Sequence, residues 1–192
     1  MRNNLKFSRE EIKALLIAWI AISIAFSIVL SRRPFEFEQF ILNFVLSTIT
    51  VGIGFLLHEL AHKVIAQRYG CWAEFRAFNQ MLLLAIAFSF FGFIFAAPGA
   101  VFIRGLVDHR KNGIISIAGP VTNIILAMLF IPLKYFHGFI GSIGNYGFMI
   151  NSWLALFNMI PVWNFDGAKI VKWNLLAYFA VVIISGIFVF VF

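Results

Sequence analysis

What most constrains this chain is the length and spacing of its apolar runs. Residues 14–30 form one run and 40–57 a second; further runs cover 81–97, 114–133, 146–163 and 173–192. An α-helix needs roughly 20 apolar residues to cross about 30 Å of hydrocarbon. The intervals between runs are too short to hide a second soluble domain. A soluble core has no use for 192 residues that are 62% hydrophobic, 12% charged and include 25 Phe. The runs therefore predict an all-α polytopic membrane protein. It reads as one membrane-embedded domain over 1–192, with its core at 40–172 and accessory spans at 14–30 and 173–192.

The net charge of +7 does not indicate a nucleic-acid partner, because Lys and Arg sit in short segments flanking the apolar runs. That is the pattern left by insertion topology and anionic headgroups, so the expected surroundings are a lipid bilayer. Cys71 is the only cysteine, which excludes an intrachain disulfide and a Cys-rich zinc cluster. Arg2, Lys6, Arg9 and Lys13 precede the first run in the manner of a secretory signal. The run is long for such a signal, however, and Arg32-Arg33 follow it without a small-x-small cleavage site, so it reads as a retained span.

Topology turns on the run at 81–97. If it enters and leaves on one side, that side carries 12 Lys and Arg residues against Arg32, Arg33 and Lys134 opposite. If it crosses fully, the split becomes 8 against 7 and the orientation signal disappears. The sequence thus predicts about five transmembrane helices plus a re-entrant apolar segment at 81–97. The N-terminus is placed on the cytoplasmic side of the cell membrane. Ser89, Gly92 and the Pro98-Gly99 pair mark breaks in that segment, which reads equally as a helical hairpin or an extended element that receives substrate.

The chemistry is concentrated in His58-Glu59-Leu60-Ala61-His62, where the second run ends. A spacing of four puts both imidazoles on one helix face about one turn apart, the arrangement a tetrahedral zinc ion takes from two helical ligands. Glu59 projects about 100° further round the helix. It can address water at the metal without being a ligand, as a general base must. On a soluble surface two such histidines mean little. Inside a span, a Glu and two His are costly unless coordinated, paired or facing water.

A catalytic zinc needs a third protein ligand. Ile65 and Arg68 stand where a metzincin would place Gly and His. Downstream of His62 the chain offers Glu74, Asp108 and Asp166, with His109 and His137. Glu74, Asp108 and His109 lie in charged loops and His137 in a turn beside Gly138, where solvated side chains are the ordinary outcome. Asp166 follows an apolar helix interrupted at Pro161 and precedes Gly167, so it reads either as a ligand or as a helix cap.

Three segments together resemble the site-2 protease family of intramembrane zinc metalloproteases. They are the stretch at 58–70, Ala118-Gly119-Pro120-x-x-Asn123, and Asn158-Met159-Ile160-Pro161 leading to Asp166-Gly167. The resemblance implies that His58, His62 and Asp166 bind one zinc ion per chain and that Glu59 is the catalytic base. It also implies that Asn123 helps to shape the active site; Asn158 is a further candidate for support. Asn164-Phe165 precede the Asp-Gly pair where the family often has a proline. The implied substrates are transmembrane segments of other proteins. The competing classes are a non-proteolytic metal transporter or sensor, neither of which needs a Glu directly after the first His, and an inactive scaffold.

Overall fold

The computed structural model describes residues 5–31, 36–94 and 98–192. Arg2, Arg32, Arg33 and the last three residues of the 81–97 segment lie outside them. The chain runs α1 (Arg9–Leu30), α2 (Phe37–Ser47), a π-helical turn (Thr48–Gly52), α3 (Ile53–Arg68), β1 (Trp72–Ala77) and α4 (Asn79–Ser89). It continues with β2 (Gly99–Arg104), α5 (His109–Phe130), a 3-10 turn (Ile131–Tyr135), α6 (Gly138–Asn158), α7 (Asp166–Trp173) and α8 (Leu175–Phe190).

The fold is mostly helical, as the apolar runs require, and among the described residues three helices are long and apolar enough to cross a membrane: Arg9–Leu30, Phe37–Arg68 and His109–Tyr135. The second is continuous from α2 into α3. Its π-helical turn carries one residue more than an α-helical turn, and such turns gather at functional sites. There the Trp19 indole donates to the Thr48 carbonyl at 3.2 Å, serving a group where the regular ladder is interrupted. α6 is 21 residues long but carries Gly138, Gly141, Gly144 and Gly147 at every third position, with Asn145 and Asn151 among them. It begins eight residues before the expected run. Small residues at that spacing line one face, against which the end of α5 and the 3-10 turn pack closely. α8 is apolar and 16 residues long.

The expectation of an all-α chain needs one correction. β1 and β2 form an antiparallel two-stranded sheet, with Trp72 opposite Arg104, Phe75 opposite Val101 and Ala77 opposite Gly99. The strands bracket the 81–97 segment instead of lying within it. β1 was hidden because its alternating residues sit in a charged interval. The breaks at Ser89, Gly92 and Gly99 appear as read: α4 ends at Ser89, Gly92 takes a positive φ of 86°, and β2 starts at Gly99. The inward face of the hairpin, including Phe75, packs on α1 and α3, and Phe55 meets Phe75 edge-to-face at 5.8 Å.

A second correction concerns Lys63, which the sequence places among the charges flanking a span. In the fold it is 1% exposed and ion-paired with Glu11, also 1% exposed. Glu11 lies in the first turn of α1, capped by Ser8, so the start of α1 lies against α3. The Lys63 ammonium also sits 4.2 Å from the centre of the Phe7 ring. Phe75 of β1 donates its N–H to the other Glu11 oxygen at 2.9 Å. One ion pair thus pins α1, α3 and the hairpin together.

Candidate metal centre

α3 presents His58 and His62 one turn apart, their ring centroids 4.7 Å from each other and their planes at 86°. The third group arrives from the far end of the chain. After α6 the backbone turns through 159–165, and α7 begins with Asp166. A Cβ on Gly167 would stand 2.2 Å from the Met159 carbonyl oxygen, so only glycine lets α7 fold back this tightly. Ile124, Ala155, Met159 and Ile170 pack α5, α6 and α7 together behind it. As a result Asp166 Oδ2 lies 3.3 Å from His58 Nε2 and 3.1 Å from His62 Nε2. All three residues are buried.

α5 forms the other wall. A Cβ on Gly119 would come within 2.5 Å of His58 Nε2 and 2.6 Å of His62 Cε1, which explains why the Ala-Gly-Pro stretch has glycine at this position. His62 Nδ1 lies 2.8 Å from the Ile115 carbonyl oxygen, which can only accept, so Nδ1 carries the proton. His58 Nδ1 lies 2.5 Å from Asn123 Oδ1. The Asn123 amide nitrogen donates to the Gly54 carbonyl at 3.2 Å and to Asn151 Oδ1 at 2.9 Å, which fixes its oxygen as the atom facing His58. Both imidazoles are therefore oriented by their outer partners, and each turns Nε2 toward Asp166.

Two neutral imidazoles in that tautomer and one carboxylate bring three acceptor atoms to one buried point with no proton between them. A cation resolves the conflict. Ligands about 2.0–2.1 Å from zinc at tetrahedral angles lie roughly 3.3 Å apart, which matches the observed separations, and the N, N, O donor set is one that zinc accepts. Glu59, 9% exposed, stands beside the cluster with Oε2 accepting the Val101 N–H at 3.1 Å.

The remaining sequence candidates have other partners or are exposed. Asn158 donates to the Leu154 carbonyl within its own helix at 2.9 Å. Asp108 caps α5 through the Lys111 N–H. Glu74 lies 3.7 Å from Arg76, and His109 and His137 are exposed. Sequence reasoning missed Asn151 and the Ile115 carbonyl. Asn151 carried a usable signal, being a second amide in an apolar helix that needs a partner; a backbone carbonyl carries none.

Comparison with known proteins places these residues in context. The chain is 42% identical over 175 residues to "Putative zinc metalloprotease MJ0611" of Methanocaldococcus jannaschii, covering 88% of this chain and 87% of that protein. It is 29% identical over 150 residues to "Putative zinc metalloprotease YwhC" of Bacillus subtilis, covering 65% and 66%. Against "Zinc metalloprotease MJ0392" of M. jannaschii it is 27% identical over 129 residues, 65% of this chain but 32% of that protein. No family model matches the chain, and no solved structure matches it.

Proposed function

The chain belongs to the zinc metalloprotease family of these relatives, and on that premise we propose that it is an intramembrane endopeptidase of the site-2 type, cleaving transmembrane segments of other membrane proteins. The observation that carries this reading is that His58 and His62, which converge with Asp166, lie on a helix long and apolar enough to span a bilayer. A soluble metalloprotease has no reason to build its ligands there.

In this reading His58, His62 and Asp166 hold one zinc ion, which supplies Lewis acidity toward water and toward the scissile carbonyl. Glu59 takes a proton from the attacking water and returns it to the departing amine, so the peptide bond is replaced by a carboxyl and an amino terminus. Asn123 and the Ile115 carbonyl keep the imidazoles aimed. Asn158 has no part in this scheme. A substrate helix must unwind first, because its amides are locked in intrahelical hydrogen bonds. The hairpin beside Glu59 offers backbone groups to receive an extended peptide.

The hairpin also supports the proposed topology. Pairing of Trp72 with Arg104 makes the entry and exit of the α4 segment neighbours, and the 11 residues of α4 reach only about 16 Å. With α1, α2–α3, α5, α6 and α8 as five crossings, Asp166 returns to the level of His58 and His62, and the N-terminus lies in the cytoplasm of a multi-pass cell-membrane protein.

The test uses the purified chain in detergent. It should hold about one zinc per chain and cleave a labelled transmembrane peptide, and Glu59→Gln should abolish cleavage while zinc remains. Metal transport into vesicles with the peptide left intact would assign the site to a transporter. With Cys71 removed, single cysteines at 72–78 and 104–111 should label from the same face as the N-terminus, and labelling of 104–111 from the opposite face would refute the topology.

A further inference from the structure

Phe75 and Val101 face each other across the hairpin. Phe75 donates its N–H to Glu11 Oε1 at 2.9 Å, and Val101 donates its own to Glu59 Oε2 at 3.1 Å. Both amides therefore point away from the partner strand, and this is a non-hydrogen-bonded pair of the ladder. Each outer edge of the sheet is capped, at the same level, by a carboxylate from a helix.

The two caps differ in what else holds them. Glu11 is tied to Lys63, and both are 1% exposed, so opening the β1 edge would leave an uncompensated charge in the interior. Among the described residues no Lys or Arg forms an ion pair with Glu59. The alternation that turns Val101 outward also turns Gly99 and Ile103 outward, so β2 offers a run of backbone groups in one direction. Only the β2 edge can be opened without breaking a buried ion pair, and the group that covers it is the proposed base.

We infer that Glu59 occupies on β2 the place of a substrate carbonyl, and that a peptide strand pairing with the outer edge of β2 takes the Val101 N–H and releases Glu59 to act as base. The inference rests on the proteolytic reading of the site. The exchange is close to balanced, because one acceptor on the Val101 amide replaces another. While the amide holds Glu59, one carboxylate oxygen is engaged and the side chain is drawn toward the sheet. A segment that stays helical cannot offer a carbonyl to this edge and leaves the base held. The class of substrate selected is thus a transmembrane segment that can locally become a strand, and proline at the residue paired with Val101 is excluded, since that residue must also donate to the Val101 carbonyl.

The test is steady-state cleavage of a labelled transmembrane peptide by the zinc-loaded full chain. It compares wild type with Val101→Pro and with a variant whose residue 101 is the α-hydroxy analogue of valine, turning that amide into an ester. Proline is tolerated where an edge N–H points away from the ladder, and the ester keeps the side chain should proline disturb the fold. Released Glu59 predicts a KM raised about tenfold, because the substrate carbonyl is then buried against β2 without a donor, with kcat within about twofold of wild type and zinc content unchanged. A kcat lowered tenfold or more would show that the amide must hold Glu59 during turnover, and unchanged kcat and KM would show that the contact is idle; either overturns the inference. Failure of the wild-type chain to cleave any peptide would instead count against the proteolytic reading itself.

Discussion

Helix α3 buries charge at two adjacent places that are completed in opposite ways. At Lys63 the chain supplies both signs: Glu11 and Lys63 neutralise each other, and the second Glu11 oxygen is taken up by the Phe75 N–H. One residue earlier, at His62, three acceptor atoms meet, and the one chain cation beside them, Lys169, stands 3.8 Å from the other Asp166 oxygen and leaves the three facing atoms without a donor between them. Buried charges persist only when paired or coordinated. A site finished within the protein is structural, whereas one left short of a cation reserves a place for an ion from outside. The difference separates architecture from chemistry without any appeal to motif.

The largest expected effect breaks the metal side of the comparison. Asp166→Ala removes the proposed third ligand and should abolish cleavage and zinc retention, lowering affinity by more than the 10–100-fold cost of losing an outer partner. Zinc content after dialysis reads this directly, and full zinc with full activity would show that the carboxylate is not a ligand. The next effect falls on the structural side. Lys63→Met leaves Glu11 charged and unpaired, and should cost about 3–5 kcal/mol in detergent unfolding. Adding Glu11→Gln, which keeps an acceptor for Phe75, should recover most of that loss while zinc binding stays unchanged. A double variant no more stable than Lys63→Met would mean that the pair is more than self-neutralising. The smallest effect sharpens the boundary between the two sites. Asn123→Ala frees the His58 tautomer and should weaken zinc binding by about 10–100-fold, measured by chelator competition, while the acceptors it orphans cost about 1–3 kcal/mol in unfolding, less than Lys63→Met.

Legibility in the sequence followed the range of each interaction. His58 and His62 were readable because helical spacing alone brings them together. Asp166 lies more than 100 residues away and was singled out only by its Pro and Gly neighbours and by the resemblance. Asn123 was recognisable as an amide that needs a partner, but its partner, His58 Nδ1, was not, because helix packing decides which amide meets which ring. Asn158 shows the converse, since a polar residue in an apolar helix can satisfy itself on the preceding turn. Lys63 looked like a flanking charge because nothing local reveals that Glu11, 52 residues earlier, comes to meet it. β1 escaped notice because six residues of alternation in a charged interval resemble any loop.

The π-helical turn at Thr48–Gly52 has a consequence for lineage. A helix register can absorb one surplus residue in such a turn, so this span carries slack of one position just before the metal-binding stretch. Loss of a single residue there would restore a regular helix with both imidazoles still facing Asp166. The same loss at 53–57, if not absorbed by the turn, would swing them away by about 100°. Single-residue deletions among descendants of this fold should therefore be tolerated at 48–52 and purged between the turn and His58.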